Sequence, residues 1–425
     1  MKKLIPQQLK NIYHLCWAVL ANLVFAFPSR RIKIIGITGT DGKTTTSQMI
    51  TKLLDGAGKK VAMASTINFK IGKREWVNKT KFTTLSAWNV QKFIKDAVDS
   101  DCEYLVLETS SHSLDQYRVW GIDYDIAVIT NVTREHLDYH KTMEEYRRAK
   151  RRLFVKAKRT VVNLDMENPQ EFLDVKSREK YAYSLDDSKL ESHVLNDTEF
   201  VLAENIDAKI GGSEFTIGGV EFELKIPGSF NVENSLAAVC VGLMEDVSLE
   251  SASESLRLIE NVPGRMESVK NSRGIDIIID YALTPKALKS LYDLINKIRS
   301  EREDSRIISV FGSCGDRDRG KRPMMGEIVS DVADCVIITN EDPYTEDPEQ
   351  IINEVASGVK NKKEGENFFK ILDRREAIKK ALQIAEPGDI VLVTGKGAEE
   401  TMMIGSEMVD WNDKNVILEE LEGLN

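Results

Sequence analysis

The chain has 425 residues, of which 42% are hydrophobic and 30% are charged, and its formal net charge is −10. A chain of this length is expected to form two or three domains with sizeable cores. The acidic balance argues against a nucleic-acid partner, because nucleic-acid-binding domains usually carry a basic surface.

The cysteines are scattered and show no Cys-x-x-Cys spacing. An odd, unpatterned set predicts reduced thiols and therefore a cytoplasmic protein, and it argues against a structural zinc site. The positions are Cys16, Cys102, Cys240, Cys314 and Cys335.

The first 30 residues contain an apolar segment, residues 12–27, with basic residues on both sides. This segment is shorter than the roughly 20 residues that a membrane-spanning helix needs. No small-residue cleavage site follows it, which argues against a signal peptide. Two interpretations stay open: a helix that packs on the next domain, or a helix that lies on the inner surface of the cell membrane.

A glycine- and threonine-rich segment, residues 39–46, follows the first predicted strand. A strand that stops at glycines and continues as a helix is typical of phosphate-binding loops, because backbone N–H groups and the helix N-terminus then face the anion. Lys43 would reach the β- and γ-phosphates of ATP, and the Thr44 hydroxyl would bind Mg²⁺. The spacing departs from the strict Walker pattern, since Ile37 stands five residues before Gly42. A glycine-rich turn without a ligand is the weaker alternative.

Apolar runs alternate with helical patterns through the first half of the chain. Strands are predicted at 32–37, 104–107, 126–130 and 160–164, and helices at 44–57 and 86–99. This alternation predicts a parallel sheet covered by helices, which is a P-loop-like α/β ATPase domain. Residues 214–226 instead alternate about Gly218-Gly219, which predicts a small β-hairpin region.

A second alternating set begins near Gly264. Strands are predicted at 276–280, 307–311, 335–339 and 389–394, and helices at 285–299, 323–333, 348–360 and 374–385. The fold class is therefore α/β, with a Rossmann-like domain at the C-terminal end. The predicted divisions are an N-terminal apolar helix at 1–30, a central ATP-binding domain at 31–262 and a C-terminal domain at 263–425.

Two residues at strand ends suit metal binding. Glu108 ends the strand 104–107, where a carboxylate beside the phosphate loop could hold the Mg²⁺ of a nucleotide. His136 follows the strand 126–130 and is a candidate ligand of a second metal ion, with a structural hydrogen bond as the alternative. Since Mg²⁺ prefers oxygen ligands, one imidazole fits only where oxygens complete the shell.

From about residue 31 to 405 the chain resembles the Mur ligase family, the ATP-dependent amino-acid ligases of peptidoglycan synthesis. It is most similar to the MurE type, which extends a UDP-N-acetylmuramoyl dipeptide by one amino acid. The matching segments are Gly39–Thr45, Glu108–Leu114, Thr130–His140, Tyr146–Lys150, Gly228–Asn234, Pro263–Glu267, Asp280–Ala282 and Gly312–Pro323.

The resemblance implies a two-step reaction. A substrate carboxylate attacks the γ-phosphate of ATP to give an acyl phosphate, and the amine of an amino acid then displaces phosphate. Because two anions must meet, cations are needed, and the resemblance implies Lys43 and two Mg²⁺ ions. Thr44 and Glu108 would hold the first ion, and Glu108 and His136 the second.

Lys150 matches the lysine that this family carbamylates with CO₂. Carbamylation replaces a positive charge with a negative one and supplies oxygens that suit Mg²⁺. It requires the neutral amine, so the site must lower the lysine pKa from about 10.4. From the residues alone, Lys150 is one more base in a run of arginines and lysines.

The resemblance assigns further contacts by position. Those to ATP would be made by Gly39, Thr40, Asp41, Gly42, Lys43, Thr44, Thr45, Asn231, Asn234, Arg265 and Asp280. Those to the acceptor would be made by Thr83, Thr84, Ser110, Ser111 and His112. Those to the amino acid would be made by Arg319, Asp342, Tyr344, Gly395 and Glu399. The catalytic set is Lys43, Glu108, His136 and Lys150. On sequence alone, Asn231 and Asn234 could equally be turn and cap residues.

Several positions depart from the family pattern. Tyr344 stands where the motif Asp-Asn-Pro-Arg has the arginine that clamps the distal carboxylate of meso-diaminopimelate. A phenol cannot replace a bidentate guanidinium–carboxylate pair, so lysine or another amino acid without the second carboxylate is favoured. Ala398 and Leu283 each replace a usual histidine, and Leu85 replaces a usual proline.

The N-terminal part also departs from the pattern. The MurE type normally begins with a domain that grips the uridine nucleotide, and only about 30 residues precede the first strand here. Alternatives therefore stay open: a lipid-linked precursor or a folate glutamate chain as acceptor, or a non-catalytic nucleotide-binding partner. We expect a monomer that binds small-molecule substrates, with membrane-surface contact through residues 12–27 as a further possibility.

Overall fold

The computed structural model describes residues 6–80, 83–189, 193, 197–209, 212–300, 302, 304–405 and 407–424. The first five residues of the predicted N-terminal helix lie outside this part. The chain divides into two compact units. The first comprises Met1–Thr133 and His140–Glu260, and the second comprises Arg134–Tyr139 and Asn261–Asn425.

A nine-stranded sheet organises the described part of the first unit, with the order β4-β3-β2-β5-β1-β6-β7-β8-β9. All neighbouring strands pair in parallel except in the β2-β3-β4 edge, which is antiparallel. The strands are β1 (Lys33–Thr38), β2 (Val61–Ala64), β3 (Asn68–Ile71), β4 (Arg74–Val77), β5 (Tyr104–Glu108), β6 (Ile126–Ile129), β7 (Arg159–Asn163), β8 (Glu179–Ser184) and β9 (Thr198–Leu202). The predicted parallel sheet is confirmed, while β2, β3, β4, β8 and β9 were not predicted.

Helices cover both faces of this sheet, which explains why its central strands are continuously apolar. They are α1 (Gln7–Val24), α2 (Lys43–Gly56), α3 (Ala87–Asp99), α4 (Ser111–Asp115), α5 (Leu137–His140), α6 (Met143–Lys156), α7 (Gln170–Leu173), α8 (Ser229–Met244) and α9 (Leu249–Arg257), with a 3₁₀ turn at Pro28–Arg31. Thr142 caps α6 by accepting a hydrogen bond from the Glu145 N–H, which is the capping-box pattern. In the part of the chain that the structure describes, no helix is both long and apolar enough to cross a membrane.

A three-stranded antiparallel sheet, β10 (Glu204–Lys209), β11 (Gly212–Ile217) and β12 (Val220–Leu224), completes the first unit. Ile217 pairs with Val220 across a two-residue turn. Gly218 and Gly219 occupy that turn with φ of +54° and +83°. Two positive φ values define the type I′ turn that matches strand twist, so the predicted hairpin is confirmed.

The second unit contains a six-stranded sheet with the order β13-β14-β18-β15-β16-β17, parallel except for β13. The strands are β13 (Glu267–Val269), β14 (Asp276–Asp280), β15 (Ile307–Phe311), β16 (Cys335–Ile338), β17 (Phe368–Lys370) and β18 (Ile390–Thr394), followed by the hairpin β19 (Thr401–Ile404) and β20 (Glu407–Asp410). The helices are α10 (Pro285–Ser300), α11 (Lys321–Val332), α12 (Pro348–Ala356), α13 (Arg374–Ile384) and α14 (Asp413–Glu422). The predicted second α/β set is confirmed, while β13, β17 and the last hairpin were not predicted.

A buried ion pair joins the ends of α13 and α14. The Arg374 guanidinium donates to both carboxylate oxygens of Asp413, at 2.9 and 2.6 Å, and both side chains are fully buried. The Trp411 indole N–H also donates to Asp413, at 2.8 Å. Removing one partner of such a pair leaves an uncompensated buried charge.

We expect Asp413→Ala to destabilise the fold by about 3–5 kcal/mol, because the Arg374 guanidinium would stay buried without its carboxylate. The matched control is Asp293→Ala, since Asp293 pairs with Lys289 on the surface of α10. Exposed pairs contribute less than about 1 kcal/mol. The measurement is the midpoint of urea unfolding followed by circular dichroism. Equal midpoints for the two variants would contradict the larger contribution to stability that we expect of the buried pair.

Candidate active site

The glycine-rich loop between β1 and α2 is held by side chains from two other elements. Asn131, after β6, accepts a hydrogen bond from the Asp41 N–H at 2.9 Å, and the Thr130 hydroxyl donates to the Asp41 carbonyl at 2.6 Å. Gly42 has φ of +83°, and a Cβ there would lie 2.4 Å from Oδ1 of Asn234 in α8. The loop therefore requires glycine at 42 both for its backbone conformation and for the approach of α8.

Lys43 and the threonines that follow it begin α2. The Lys43 ammonium donates to the carbonyls of Gly39 and Thr40 at 3.1 and 2.7 Å, so its charge lies over the loop. Thr44 and Thr45 are buried. A cation and a helix N-terminus at one loop form an anion-binding arrangement.

The two asparagines predicted to contact adenine lie together in α8. The Asn234 amide donates to Oδ1 of Asn231 at 3.4 Å, and Asn234 in turn accepts from the Thr46 hydroxyl at 3.2 Å. The Asn231 amide donates to the Pro227 carbonyl at 2.7 Å. The structure thus brings this pair against the start of α2.

Lys150 projects from α6 to the same loop and is only 1% exposed. Its amine donates to the Gly39 carbonyl at 2.6 Å and lies 4.5 Å from the centre of the Tyr146 ring. Burial, followed by the neighbouring Lys43 charge, holds the pKa of Lys150 well below its usual value, although Asp41 opposes this. The site therefore favours the neutral amine.

Glu108 ends β5 as a fully buried carboxylate. Thr66 donates to both of its oxygens, from the backbone N–H at 3.0 Å and from the hydroxyl at 2.8 Å. Thr84 fixes the same residue by donating to its backbone carbonyl at 3.0 Å. The carboxylate is thereby oriented before any ligand arrives.

The candidate metal ligands fall in different parts of the fold. Thr44, Glu108 and Lys150 belong to the first unit, whereas His136 lies in the segment Arg134–Tyr139, which is grouped with the second. A hydroxyl and a buried carboxylate are oxygen donors of the kind that Mg²⁺ prefers, so the donor set fits that ion. His136 has φ of +58°, an uncommon conformation for a residue with a side chain.

The predicted acceptor residues form a hydrogen-bonded group at the N-terminus of α4. The Ser110 N–H donates to the Thr84 hydroxyl at 2.9 Å, and the two hydroxyls are 3.2 Å apart. Ser110 also caps α4 by accepting from the Ser113 N–H. Thr83 precedes this group and is half-buried.

His140 was not predicted as a site residue, yet it lies within this group. Its Nε2 is 2.9 Å from the Ser111 hydroxyl, and its ring centre is 5.4 Å from that of His112. Burial lowers the pKa of His140 to about 4, so the imidazole is neutral at pH 7. His140 stands four residues after His136 in the sequence, and its burial was not evident from the sequence.

In the second unit, two predicted ATP contacts lie at the carboxyl end of β14. Asp280 accepts hydrogen bonds from the Met266 and Ala282 N–H groups at 2.8 and 2.7 Å. The Arg265 guanidinium lies 4.2 Å from the centre of the Tyr281 ring. Both side chains are thus positioned by their neighbours.

Lys396, which was not predicted, joins two of the predicted amino-acid contacts. Its buried ammonium donates to Asp342 at 2.8 Å and forms an ion pair with Glu399. Burial opposes the charge, yet Glu399 and Asp342 raise the pKa of Lys396 above its usual value. The Tyr281 hydroxyl donates to the other Glu399 oxygen at 3.0 Å. Two carboxylates and one ammonium leave this group with a net charge of −1.

The segment around Tyr344 has an unusual backbone. Asp342 and Tyr344 have φ of +44° and +50°, although neither is glycine. Gly395 has φ of +104°, and a Cβ there would lie 2.0 Å from Oε2 of Glu341. Burial, followed by the Asp342 charge, raises the pKa of the Tyr344 phenol, so the side chain is neutral.

Two arginines of the Gly312–Pro323 segment make different contacts. Arg319, the predicted contact, pairs with Glu346 at 2.7 Å. The Arg317 guanidinium, which was not predicted, lies 5.6 Å from the centre of the Tyr344 ring. Arg317, two residues before Arg319, is therefore the arginine of this segment that contacts Tyr344.

Comparison with known proteins shows which families and proteins the chain is similar to. The family model of the Mur ligase middle domain matches residues 37–242, and that of the Mur ligase glutamate ligase domain matches residues 264–397. A UDP-N-acetylmuramyl-tripeptide synthetase of Roseiflexus sp. is 38% identical over 93% of this chain and 80% of its own length. A UDP-N-acetylmuramoyl-L-alanyl-D-glutamate–2,6-diaminopimelate ligase of Clostridium botulinum is 38% identical over 95% of this chain and 80% of its own.

Solved structures agree with this. A structure named as a UDP-N-acetylmuramoyl-L-alanyl-D-glutamate–2,6-diaminopimelate ligase matches with a TM-score of 0.59 and 32% identity, over 92% of this chain and 79% of that one. A folylpolyglutamate synthase of Mycobacterium tuberculosis matches with a TM-score of 0.66 over 90% of this chain and 92% of that one. At 17% identity, the second likeness is one of fold alone.

The chain belongs to the Mur ligase family, whose members are ligases that use ATP and Mg²⁺ to form carbon–nitrogen bonds. The fold and the loop between β1 and α2 agree with that class. Within the family the chain is of the MurE type and acts in peptidoglycan synthesis. This confirms the resemblance found in the sequence.

We expect Gly42→Ala to weaken ATP binding at least about tenfold, because the added Cβ would displace either the loop or Asn234. The control is Gly58→Ala, since Gly58 also has a positive φ, +77°, but nothing lies within 4 Å of its added Cβ. Binding of a non-hydrolysable ATP analogue is measured by calorimetry on both variants. Equal affinities would contradict the close approach as the reason for glycine at 42.

Proposed function

We propose that this enzyme joins an amino acid without a second carboxylate, lysine first among them, to the carboxylate of a muramoyl dipeptide through an acyl phosphate. The observation that carries the choice of amino acid is Tyr344, a neutral phenol where diaminopimelate selection needs an arginine. The carboxylates of Asp342 and Glu399 support it, because they attract a side-chain ammonium. The Arg317 guanidinium, 5.6 Å from the centre of the Tyr344 ring, adds one positive charge nearby. The relatives named as diaminopimelate ligases make residue 344 the position to test.

For ATP, we propose that residues 31–262 form the binding domain and residues 263–425 the amino-acid domain. The contacts would be Gly39–Thr45, Asn231, Asn234, Arg265 and Asp280. Support comes from the ammonium of Lys43 over the loop and from the packing of Asn234 against Gly42. Thr44, Glu108 and His136 would hold two Mg²⁺ ions, which supply positive charge where the carboxylate and the γ-phosphate meet.

The acceptor would lie against Thr83, Thr84, Ser110, Ser111 and His112. In their favour, Thr84 bonds both to Ser110 and to the backbone carbonyl of Glu108, so the acceptor group is joined to the residue that carries the candidate metal carboxylate. Gly395 and Arg319 complete the proposed amino-acid contacts. We further propose a monomer in the cytoplasm, with residues 12–27 against a membrane surface.

Lys150 is proposed to act as a carbamate. The neutral amine attacks the carbon of CO₂, one proton leaves the nitrogen, and the product carries a negative charge on two oxygens. The burial of Lys150 supports this step, because it stabilises the neutral amine that reacts. The product would add two oxygen donors near the loop, which suits Mg²⁺.

We expect Lys150→Ala to lower ligase activity at least about 100-fold, which corresponds to about 2.7 kcal/mol of transition-state stabilisation. Removing CO₂ from the buffer should lower wild-type activity, and bicarbonate should restore it, whereas the variant should respond to neither. The control is Lys52→Ala, an exposed lysine of α2. Because burial lowers the pKa of Lys150, more of the amine is neutral at a given pH than in a free lysine, and the CO₂ response should weaken as the pH is lowered. Full activity of Lys150→Ala would contradict the carbamate.

The amino acid is tested by phosphate release from ATP with UDP-N-acetylmuramoyl-L-Ala-D-Glu and a panel of amino acids. We expect turnover with lysine and none with meso-diaminopimelate. Tyr344→Arg should gain turnover with diaminopimelate, because a guanidinium can bind its distal carboxylate in a bidentate manner. Tyr344→Phe is the control, which should retain the wild-type preference.

The outcomes separate the alternatives. Wild-type turnover with diaminopimelate would contradict the role given to Tyr344. Turnover with no amino acid would point to another acceptor, such as a lipid-linked precursor.

A further inference from the structure

One face of α1 is apolar and exposed to solvent. Its large side chains are between 42% and 61% exposed and recur every three or four residues, which places them on one side of the helix. They are Leu9, Ile12, Tyr13, Trp17, Leu20, Leu23 and Val24. The opposite face is packed, with Ala18, Ala21 and Asn22 almost fully buried. Packing within the unit therefore accounts for one face of α1 only.

Charge indicates what covers the exposed face. The first acidic residue of the chain is Asp41, although the whole chain has a net charge of −10. The basic residues before it are Lys2, Lys3, Lys10, Arg30, Arg31 and Lys33. Tyr13 and Trp17 are amphipathic aromatics of the kind that sit at lipid head groups. An apolar face with basic flanks and interfacial aromatics matches a helix that lies on an anionic membrane.

A cavity of about 220 Å³ lies between α6 and the segment 114–120. Its lining includes the rings of Tyr117 and Trp120 and four cations, Arg148, Arg151, Arg152 and Lys156, all from α6. Asp115 pairs with Arg152 at 3.1 Å, and Glu145 is 3.8 Å from Arg148, so the cavity keeps a net positive charge. Such a lining suits a phosphate that is attached to an apolar group.

The cavity and α1 share the loop 115–121. Asn11 of α1 donates to the Asp115 carbonyl at 3.2 Å, and Asn22 donates to the Trp120 carbonyl at 2.9 Å. Tyr117 and Trp120 of the same loop line the cavity. The loop 115–121 therefore contacts the packed face of α1 and also lines the cationic cavity.

We propose that α1 lies on a membrane that contains anionic phospholipid, and that the cavity between α6 and the loop 115–121 takes the phosphate of a lipid head group. This inference rests on the membrane contact proposed above and names its lipid chemistry. It is independent of which amino acid the enzyme adds, because vesicle binding is measured without any substrate.

The helix is tested by flotation of the full-length protein with vesicles of phosphatidylcholine, with and without phosphatidylglycerol. We expect the wild type to bind the mixed vesicles, and Ile12→Glu/Leu20→Glu to bind them at least about tenfold more weakly, since two charges enter the lipid contact. The control is Leu258→Glu, an equally exposed leucine outside α1. It should bind as the wild type does.

The cavity is tested by Arg148→Gln/Lys156→Gln, which removes two charges and keeps most of each side chain. Each cation near an anionic surface strengthens binding about fivefold, so the pair should lose about 25-fold in affinity for phosphatidylglycerol vesicles. Its binding to pure phosphatidylcholine should not change. The control is Lys52→Gln/Lys225→Gln, two exposed lysines of the same unit that do not line the cavity.

Ligase activity with soluble substrates and the thermal midpoint are measured on every variant, which separates loss of fold or of function from loss of lipid binding. Absence of wild-type vesicle binding would overturn the proposal. So would a concentration-dependent dimer that Ile12→Glu/Leu20→Glu dissociates, because a second copy would then cover the face. Equal lipid binding by the cavity variant and its control would overturn the head-group site.

Discussion

The candidate site depends on one constraint, the fixed backbone of the loop between β1 and α2. Three elements hold it: the end of β6 through Thr130 and Asn131, α8 through Asn234, and α6 through Lys150. Each contact uses a backbone carbonyl or N–H of the loop, or the space left by a missing Cβ. A loop fixed in this way needs little rearrangement to bind an anion, so its N–H groups are preorganised for binding.

The same constraint creates the unusual chemistry of Lys150. Its amine reaches the Gly39 carbonyl only because α6 packs its apolar side against the sheet, which removes the amine from water. An ammonium there would face Lys43 in a medium of low polarity, so the neutral form is favoured. The contact that holds the loop and the reactivity proposed for the lysine thus have a single physical origin.

The sequence predicted what local patterns determine. The bounds of β1, α2 and the hairpin at Gly218-Gly219 follow from apolar runs and turn glycines, and the structure matches them closely. The β3-β4 edge was missed because its strands are four residues long and carry Lys70, Arg74 and Glu75. Such polar strands form through pairing, β3 with β2 and β4 with β3, which no local pattern reveals.

Contacts between residues that are far apart in the sequence could not be predicted either. Thr66 orients Glu108 from 42 positions away, and Lys150 reaches Gly39 from 111. The motif resemblance named Glu108 and Lys150, but it gave neither the partners nor the burial that sets their behaviour. Lys396 and His140 stayed unpredicted for the same reason, because the residues around them come from separate strands and loops.

The amino-acid region combines an unusual backbone with a buried charged group. Asp342 and Tyr344 both have positive φ, and Asp342 is held by the Lys396 ammonium. Residue 344 itself is not a member of the Asp342–Lys396–Glu399 group. Because the pKa of the buried Lys396 is raised, its ammonium stays charged over the neutral pH range. Under the role proposed for Tyr344, a substitution there would change which second charge on the amino acid is accepted, while the hydrogen bonds of Lys396 to Asp342 and Glu399 would remain.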